Sequence, residues 1–205
     1  MNFKMESYRK FLHFLLIIIP IFYILFGQRI TFYTLAPITI FVVFFDYLRR
    51  SNLQININFN RFFGLILREH EKTGNKLSGA SFVLLGATLN FFFFKPAIAV
   101  CAFTILVISD ALAALVGKAF PSRPFFEKSF NGSLAFFISA FVVLVICAIF
   151  FQMSFWFYFF GIFTVACLTI IEARPSLFKI DDNFLIPIFF AVEMSFFDIL
   201  WNYNY

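Results

Sequence analysis

Charge is scarce in this chain. Of its 205 residues, 13% are charged and 62% are hydrophobic. Soluble domains are nearer a quarter charged and half apolar. The polar residues are too few to cover a water-facing surface, which excludes a soluble fold and points to a polytopic helical membrane protein. Strict alternation is missing too. The apolar runs are continuous, which argues against a β-barrel. No polar stretch is long enough to enclose a core of its own, so residues 1–205 are expected to form a single integral membrane domain. Histidine occurs only at His13 and His70, too few for a histidine-rich metal centre. The three cysteines, Cys101, Cys147 and Cys167, lie inside apolar runs. Their spacing fits neither a metal motif nor a disulfide framework, and they read as small core residues. A P-loop, a soluble-kinase signature, a Ser-His-Asp or Cys-His arrangement and an internal repeat are all absent from the sequence. The first apolar run is not followed by a small-residue cleavage site, so it is expected to be the first span and not a cleaved leader.

What is abundant is phenylalanine, with 38 residues. They are scattered along the chain, as expected where Phe takes the place of Leu on lipid-facing surfaces. A bilayer-spanning helix needs about 20 apolar residues. Seven segments approach that length, over residues 11–27, 30–48, 77–94, 96–117, 132–151, 154–172 and 184–201. Between the second and third lies NRFFGLILREHEKTG, residues 60–74, amphipathic and too polar to span; it is expected as a cytoplasmic interfacial helix. The expected fold is therefore all-α, with about seven transmembrane helices plus that interfacial helix.

The basic residues set the orientation. With the N-terminus in the cytoplasm and seven crossings, only Arg29 and Lys95 fall on the outer side, and every other Lys and Arg falls inside. The positive-inside rule then places the 49–76, 118–131 and 173–183 loops in the cytoplasm and the C-terminus outside. The expected location is a bacterial inner membrane. The formal net charge of +5 needs no nucleic acid to explain it. Topology and the anionic lipid headgroups of the bilayer account for it, and the excess also helps collect an anionic substrate.

Against this background Asp110 stands out, in the run ISDALAALVGKAF. It lies about seven residues before the end of the fourth span, roughly 10 Å below the surface. A carboxylate at such a depth costs at least about 2.5–3.5 kcal/mol and normally faces a partner or a hydrated cavity. It reads either as a structural interhelical hydrogen bond or as a metal or ion ligand. Ala111, Ala113, Ala114 and Gly117 allow close helix packing beside it. The loop that follows, FPSRPFFEKSFNGS, brings Lys118, Arg123 and Lys128 together with Ser129, Asn131 and Ser133. Asn131 reads as the N-cap of the next span, and Gly132 as a position where a ligand approaches the backbone. Free N–H groups at a helix N-terminus beside lysine and serine make an anion site, and an oxygen ligand for Mg²⁺ one helix away is what a nucleoside triphosphate requires. REHEKTG places Glu69, His70 and Glu71 on the same side, and Asp181 and Asp182 read either as a turn and N-cap or as carboxylates that complete a Mg²⁺ site with Asp110. Glu172 and Asn183 fall in that last cluster as well.

ISDALAALVGKAF followed by EKSFNGSLAFF resembles the CTP-dependent lipid kinases: dolichol kinase, phytol kinase and CTP-dependent diacylglycerol kinase. These carry S/G-D-x-x-A-x-x-x-G-[RK] and then K-S-x-E-G-S. The resemblance extends to RKFLH near the N-terminus, to LREHEKTGNKLSGASFVLLG and to DDNFLIPI, and so covers most of the chain in order. CDP-diacylglycerol synthases share a more distant SD…GK pattern. Asn131 stands where the kinases commonly have glutamate.

The resemblance implies Mg²⁺-dependent phosphoryl transfer from CTP to a membrane lipid alcohol, a polyprenol, a phytol-like prenol or diacylglycerol. Asp110, with Asp181 or Asp182, would hold Mg²⁺. Lys118, Lys128, Ser129, Asn131, Gly132 and Ser133 would bind the nucleotide phosphates. Glu69 would position or deprotonate the lipid hydroxyl, with His70 second. Three other functions compete: a phosphatidate cytidylyltransferase, which would release pyrophosphate; a transporter, which would bind substrate near the midplane between repeated halves; and a non-catalytic scaffold, which would not need Asp110.

Overall fold

Small residues determine which helix sits at the centre. Pro96–Ala119 is built around Ala97, Ala99, Cys101, Ala102, Ser109, Ala111 and Ala113, and all of them are buried. Short side chains let neighbouring helices approach closely where no water is available to drive association. In the computed structural model, which describes residues 3–64, 67, 72, 77–178 and 180–203 but not the side chains of 3–6, 62 and 63, this helix is the hub. The helices are α1 (Phe3–Phe14), α2 (Ile18–Ser51), α3 (Leu53–Phe63), α4 (Gly79–Phe93), α5 (Pro96–Ala119), α6 (Phe130–Phe150), α7 (Phe155–Ala173) and α8 (Asp182–Trp201). A 3₁₀ turn, Leu15–Ile17, joins α1 to α2. Helix α5 packs on α1, α4, α6 and α8.

Among the described residues the protein is all-helical apart from one small hairpin, and five helical stretches are long and apolar enough to cross a membrane. Ser7–Ser51 is the first, at 45 residues. At about 1.5 Å per residue it is twice the thickness of a bilayer core. It does not run straight. Gly27, at φ 76° and ψ 175°, breaks it in a backbone region open only to glycine. Residues on both sides of the break, His13 and Leu16 before it and Phe41, Phe45 and Asp46 after it, line one cavity. The chain therefore turns back at Gly27. Helix α4 is shorter, at 15 residues.

The chain then runs back and forth between two poles. At one pole Gln28 Nε2 donates to the Phe92 carbonyl at 2.6 Å, and Lys95 pairs with Asp198 at 2.6 Å. Tyr203 N–H donates to Asp198 Oδ1 at 2.9 Å. At the other pole Asp46 joins α2 to α4, pairing with Arg49 through Oδ1. Its Oδ2 accepts from Ser78 N–H at 2.5 Å and from the Ser81 hydroxyl at 2.7 Å. The Arg49 guanidinium also lies 4.6 Å from the centre of the Phe59 ring, which holds α3.

The sequence places the interfacial helix at 60–74. The structure starts one earlier, at Leu53, because Asn52 caps it by accepting from Gln54 N–H at 2.9 Å and from Ile55 N–H at 3.3 Å. Most of the remainder of 60–74 lies outside the described residues. The cysteines agree with expectation: all three are free, and Cys101 and Cys147 are buried.

Nothing lies within 4 Å of a Cβ placed on Gly27, so only backbone strain opposes a side chain there. Gly27→Ala is expected to cost about 1–3 kcal/mol, read as a lower unfolding midpoint in detergent.

Candidate functional site

The polar loop after α5 folds into a hairpin, with Pro124–Phe125 paired antiparallel to Lys128–Ser129. Phe126, at φ 54°, makes its turn. Glu127 anchors the hairpin. Its N–H donates to the Ala173 carbonyl at 3.0 Å, and its carboxylate accepts from Ser176 N–H at 3.3 Å and from the Ser176 hydroxyl. This docking onto the end of α7 brings Lys128 Nζ against Glu172 Oε1 and 3.6 Å from Asp182 Oδ2.

On the facing wall Lys10, in α1, forms a buried ion pair with Asp110 in α5. His13, one turn further along α1, sits 3.7 Å from the same carboxylate oxygen and 3.4 Å from the Leu106 carbonyl. Between the walls is a cavity of about 320 Å³, lined by Arg9, Lys10, Asp110, Lys128, Glu172 and Asp182, with Ser129 and Gly132. Burial works against the Lys128 ammonium. The carboxylates of Glu172, Asp182 and Asp110 outweigh it and hold its pKa above the usual lysine value. Lys128 is therefore a permanent cation.

A second cavity of about 630 Å³ adjoins the first and shares Arg9 and Lys10 with it. Its walls are apolar, from Leu12, Leu16, Phe41, Val42, Phe45 and Val83, with His13, Asp46, Ser78 and Asn183 as polar points.

The predicted site residues divide. Asp110, Lys128, Ser129, Gly132 and Asp182 come together at the charged cavity. Lys118 sits exposed in the last turn of α5, outside the cavity lining. Asp181 caps α8, accepting from Asn183 N–H at 3.0 Å, and lies outside that lining. Ser133 is buried in the first turn of α6, outside that lining. Glu69 and His70 lie outside the described residues.

The helix N-terminus needs a fuller correction. Its N-cap is Ser129, whose hydroxyl accepts from Gly132 N–H at 3.2 Å. Phe130 N–H donates to the Arg123 carbonyl at 3.0 Å, and Asn131 N–H to Ser122 Oγ at 2.9 Å. These N–H groups are committed to the loop, so the helix end does not present them to an anion. Asn131 instead donates its side-chain amide to the Phe120 carbonyl at 3.0 Å, a bond that a glutamate carboxylate has no N–H to make. Gly132 serves packing: a Cβ there would lie 2.9 Å from the Ala113 carbonyl oxygen and 3.3 Å from Gly117 Cα. The cations lining the charged cavity are Arg9, Lys10 and Lys128.

Arg9, Lys10 and Glu172 are the residues that sequence reasoning passed over as site residues. The two cations read as topology signals. Glu172 carried the same signal as Asp110, a carboxylate at the end of an apolar run.

Among the described residues no three Asp, Glu, His or Cys side chains come together as a group that could hold a metal ion. Mg²⁺ on a phosphate does not need one, since one or two carboxylates suffice. Glu172 is 2% exposed, and its Oε2 has no hydrogen-bond partner. That oxygen is a free carboxylate ligand of the hard type Mg²⁺ takes, and Asp110 and Asp182 line the same cavity.

No family profile matches this chain, and no solved structure matches it. It is 33% identical over 199 residues to the Rickettsia prowazekii (strain Madrid E) protein named Uncharacterized protein RP860, with 96% of each chain covered. The chain belongs to the family of that protein.

Removing Lys128 leaves Glu172 buried beside Asp182 without its cation. Lys128→Met is expected to destabilise by about 3 kcal/mol, and adding Glu172→Gln to recover most of that loss. Unfolding of the two single variants and the double variant in mixed micelles measures the coupling.

Proposed function

We propose that the chain is a CTP-dependent lipid kinase, crossing the bilayer seven times with its charged pole in the cytoplasm. The observation that supports this reading most directly is the meeting of two unlike cavities at Arg9 and Lys10. One is charged and sized for phosphates. The other is apolar and bordered by helices, as a lipid tail requires. A phosphoryl donor and a lipid hydroxyl held in these two places would meet at their shared wall. The motif resemblance supplies CTP as the donor.

In the reaction the lipid oxygen forms a bond to the γ-phosphorus. The bond from that phosphorus to the oxygen bridging the β-phosphate breaks, and CDP leaves carrying the oxygen. The hydroxyl proton goes to a base, for which Glu69 is the first candidate and His70 the second. Lys10, Lys128 and Arg9 stabilise the charge that builds on the transferred group, in a site where burial strengthens each contact. Asp110, Glu172 and Asp182 are the carboxylates of which one or two would hold Mg²⁺, which when bound neutralises phosphate charge. Ser129 and Gly132 keep the hairpin and α6 against α5, so that Lys128 stays in reach. Asn183 and Ser78 are polar points at which the acceptor headgroup can be held.

The test is product analysis of the purified protein with Mg²⁺, CTP labelled on the γ-phosphate, and a panel of lipid alcohols plus phosphatidic acid. Label in a lipid is the expected result and names the acceptor. Label found only in pyrophosphate, with a CDP-lipid formed, would replace the kinase by a cytidylyltransferase. Asp110→Asn is expected to insert and fold but to lose turnover by at least about a hundredfold; normal activity in that variant would remove Asp110 from the mechanism. For topology, single cysteines placed at Lys95 and Arg123 in a background without the native cysteines are expected to label from the outside and the inside respectively. Labelling of both from one side would overturn the seven-crossing arrangement.

A further inference from the structure

The charged cavity carries as many carboxylates as cations. Arg9, Lys10 and Lys128 face Asp110, Glu172 and Asp182. The pairings are intimate. Lys10 is 5% and Asp110 8% exposed, and they bond directly. Lys128 bonds Glu172 and lies within 3.6 Å of Asp182. A polyphosphate entering alone would meet lysines already neutralised and three carboxylates that repel it. A divalent cation entering alone would meet carboxylates already held by lysines. In a buried site either intrusion leaves one partner of each broken pair uncompensated. Entering together, the two exchange with the existing pairs: carboxylates turn to the metal, ammonium groups turn to the phosphates, and charge stays balanced. The unpartnered Oε2 of Glu172 is a ligand already free for that exchange.

We infer that the site takes a divalent cation and a polyphosphate only as a joint ligand, by exchange of the Lys10–Asp110 and Lys128–Glu172 ion pairs. The inference rests on the kinase reading for the identity of the natural polyphosphate, but its own content concerns binding. The two resident pairs act as a lock that metal-free nucleotide does not open. This makes Lys10 and Glu172 positioning residues as well as charge partners.

The test is equilibrium dialysis of radiolabelled inorganic tripolyphosphate against the full-length protein in detergent, with Mg²⁺ or with EDTA. The wild type is expected to bind at least about tenfold more tightly with Mg²⁺. Glu172→Gln and Asp110→Asn each release a lysine, so both are expected to bind tripolyphosphate in EDTA more tightly than the wild type. A gain of affinity on removing a site carboxylate is an outcome that simple damage to the fold does not produce. Circular dichroism and gel filtration of each variant identify any that fails to fold, and the other then carries the comparison. Equal wild-type binding with Mg²⁺ and EDTA would overturn the exchange, as would folded variants with no gain in EDTA or no binding under any condition. None of these results touches the kinase reading, which stands or falls on label transfer to lipid.

Discussion

The buried charged side chains among the described residues answer one constraint: a charge taken out of water must be met by another. The chain has few charged residues, and the buried ones that are described sit in ion pairs, most of them drawn from distant segments. Lys10 meets Asp110, and Lys128 meets Glu172. Asp46 meets Arg49, and Asp198 meets Lys95. The three long-range pairings each fix how two parts of the chain sit together. In a low-dielectric interior a lone carboxylate costs several kcal/mol, and a pair with good geometry offsets most of it. The ion pairs therefore specify register in a bundle whose Phe, Leu and Ile surfaces would pack in many ways.

The same constraint explains why one pole gathers most of the charge. Lys95 and Asp198 close the far pole with one bridge beside Tyr203. The near pole concentrates Arg9, Lys10, Asp46, Asp110, Lys128, Glu172 and Asp182 around two cavities. Small residues make that concentration possible. Gly117 and Gly132 let the α5 and α6 backbones touch, which sets the hairpin bearing Lys128 over the end of α7. Packing at the glycines and charge at the lysine are thus one arrangement.

The helix end of α6 illustrates how a local signal can mislead. Glycine, serine, asparagine and lysine around a helix start suggest N–H groups open to an anion. In the fold, Arg123, Ser122 and Ser129 take up those N–H groups. The cations that line the charged cavity are side chains from α1 and the hairpin. Asn131, the departure from the kinase motif, makes a loop contact that needs an amide donor, so its difference from glutamate is tied to the fold of the loop.

Sequence alone determined that the chain is helical and membrane-like, because composition and apolar run length are local properties. It also marked Asp110, Lys128 and Asp182, since a charge beside or inside an apolar run is conspicuous without any structure. It could not show that Lys10, 100 residues away, is the partner of Asp110, because pairing across such a distance is decided by how helices pack. Nor could it separate Asp181 from Asp182. One residue of rotation at a helix start sends the first carboxylate to the cap and the second to the cavity. The turn at Gly27 joins two apolar runs that read as separate spans into one broken helix, and the cavity between them exists only once the second half folds back beside the first. Tertiary structure decided these points because a cavity and an ion pair are properties of surfaces brought together, and a linear pattern records only the residues that each surface contributes.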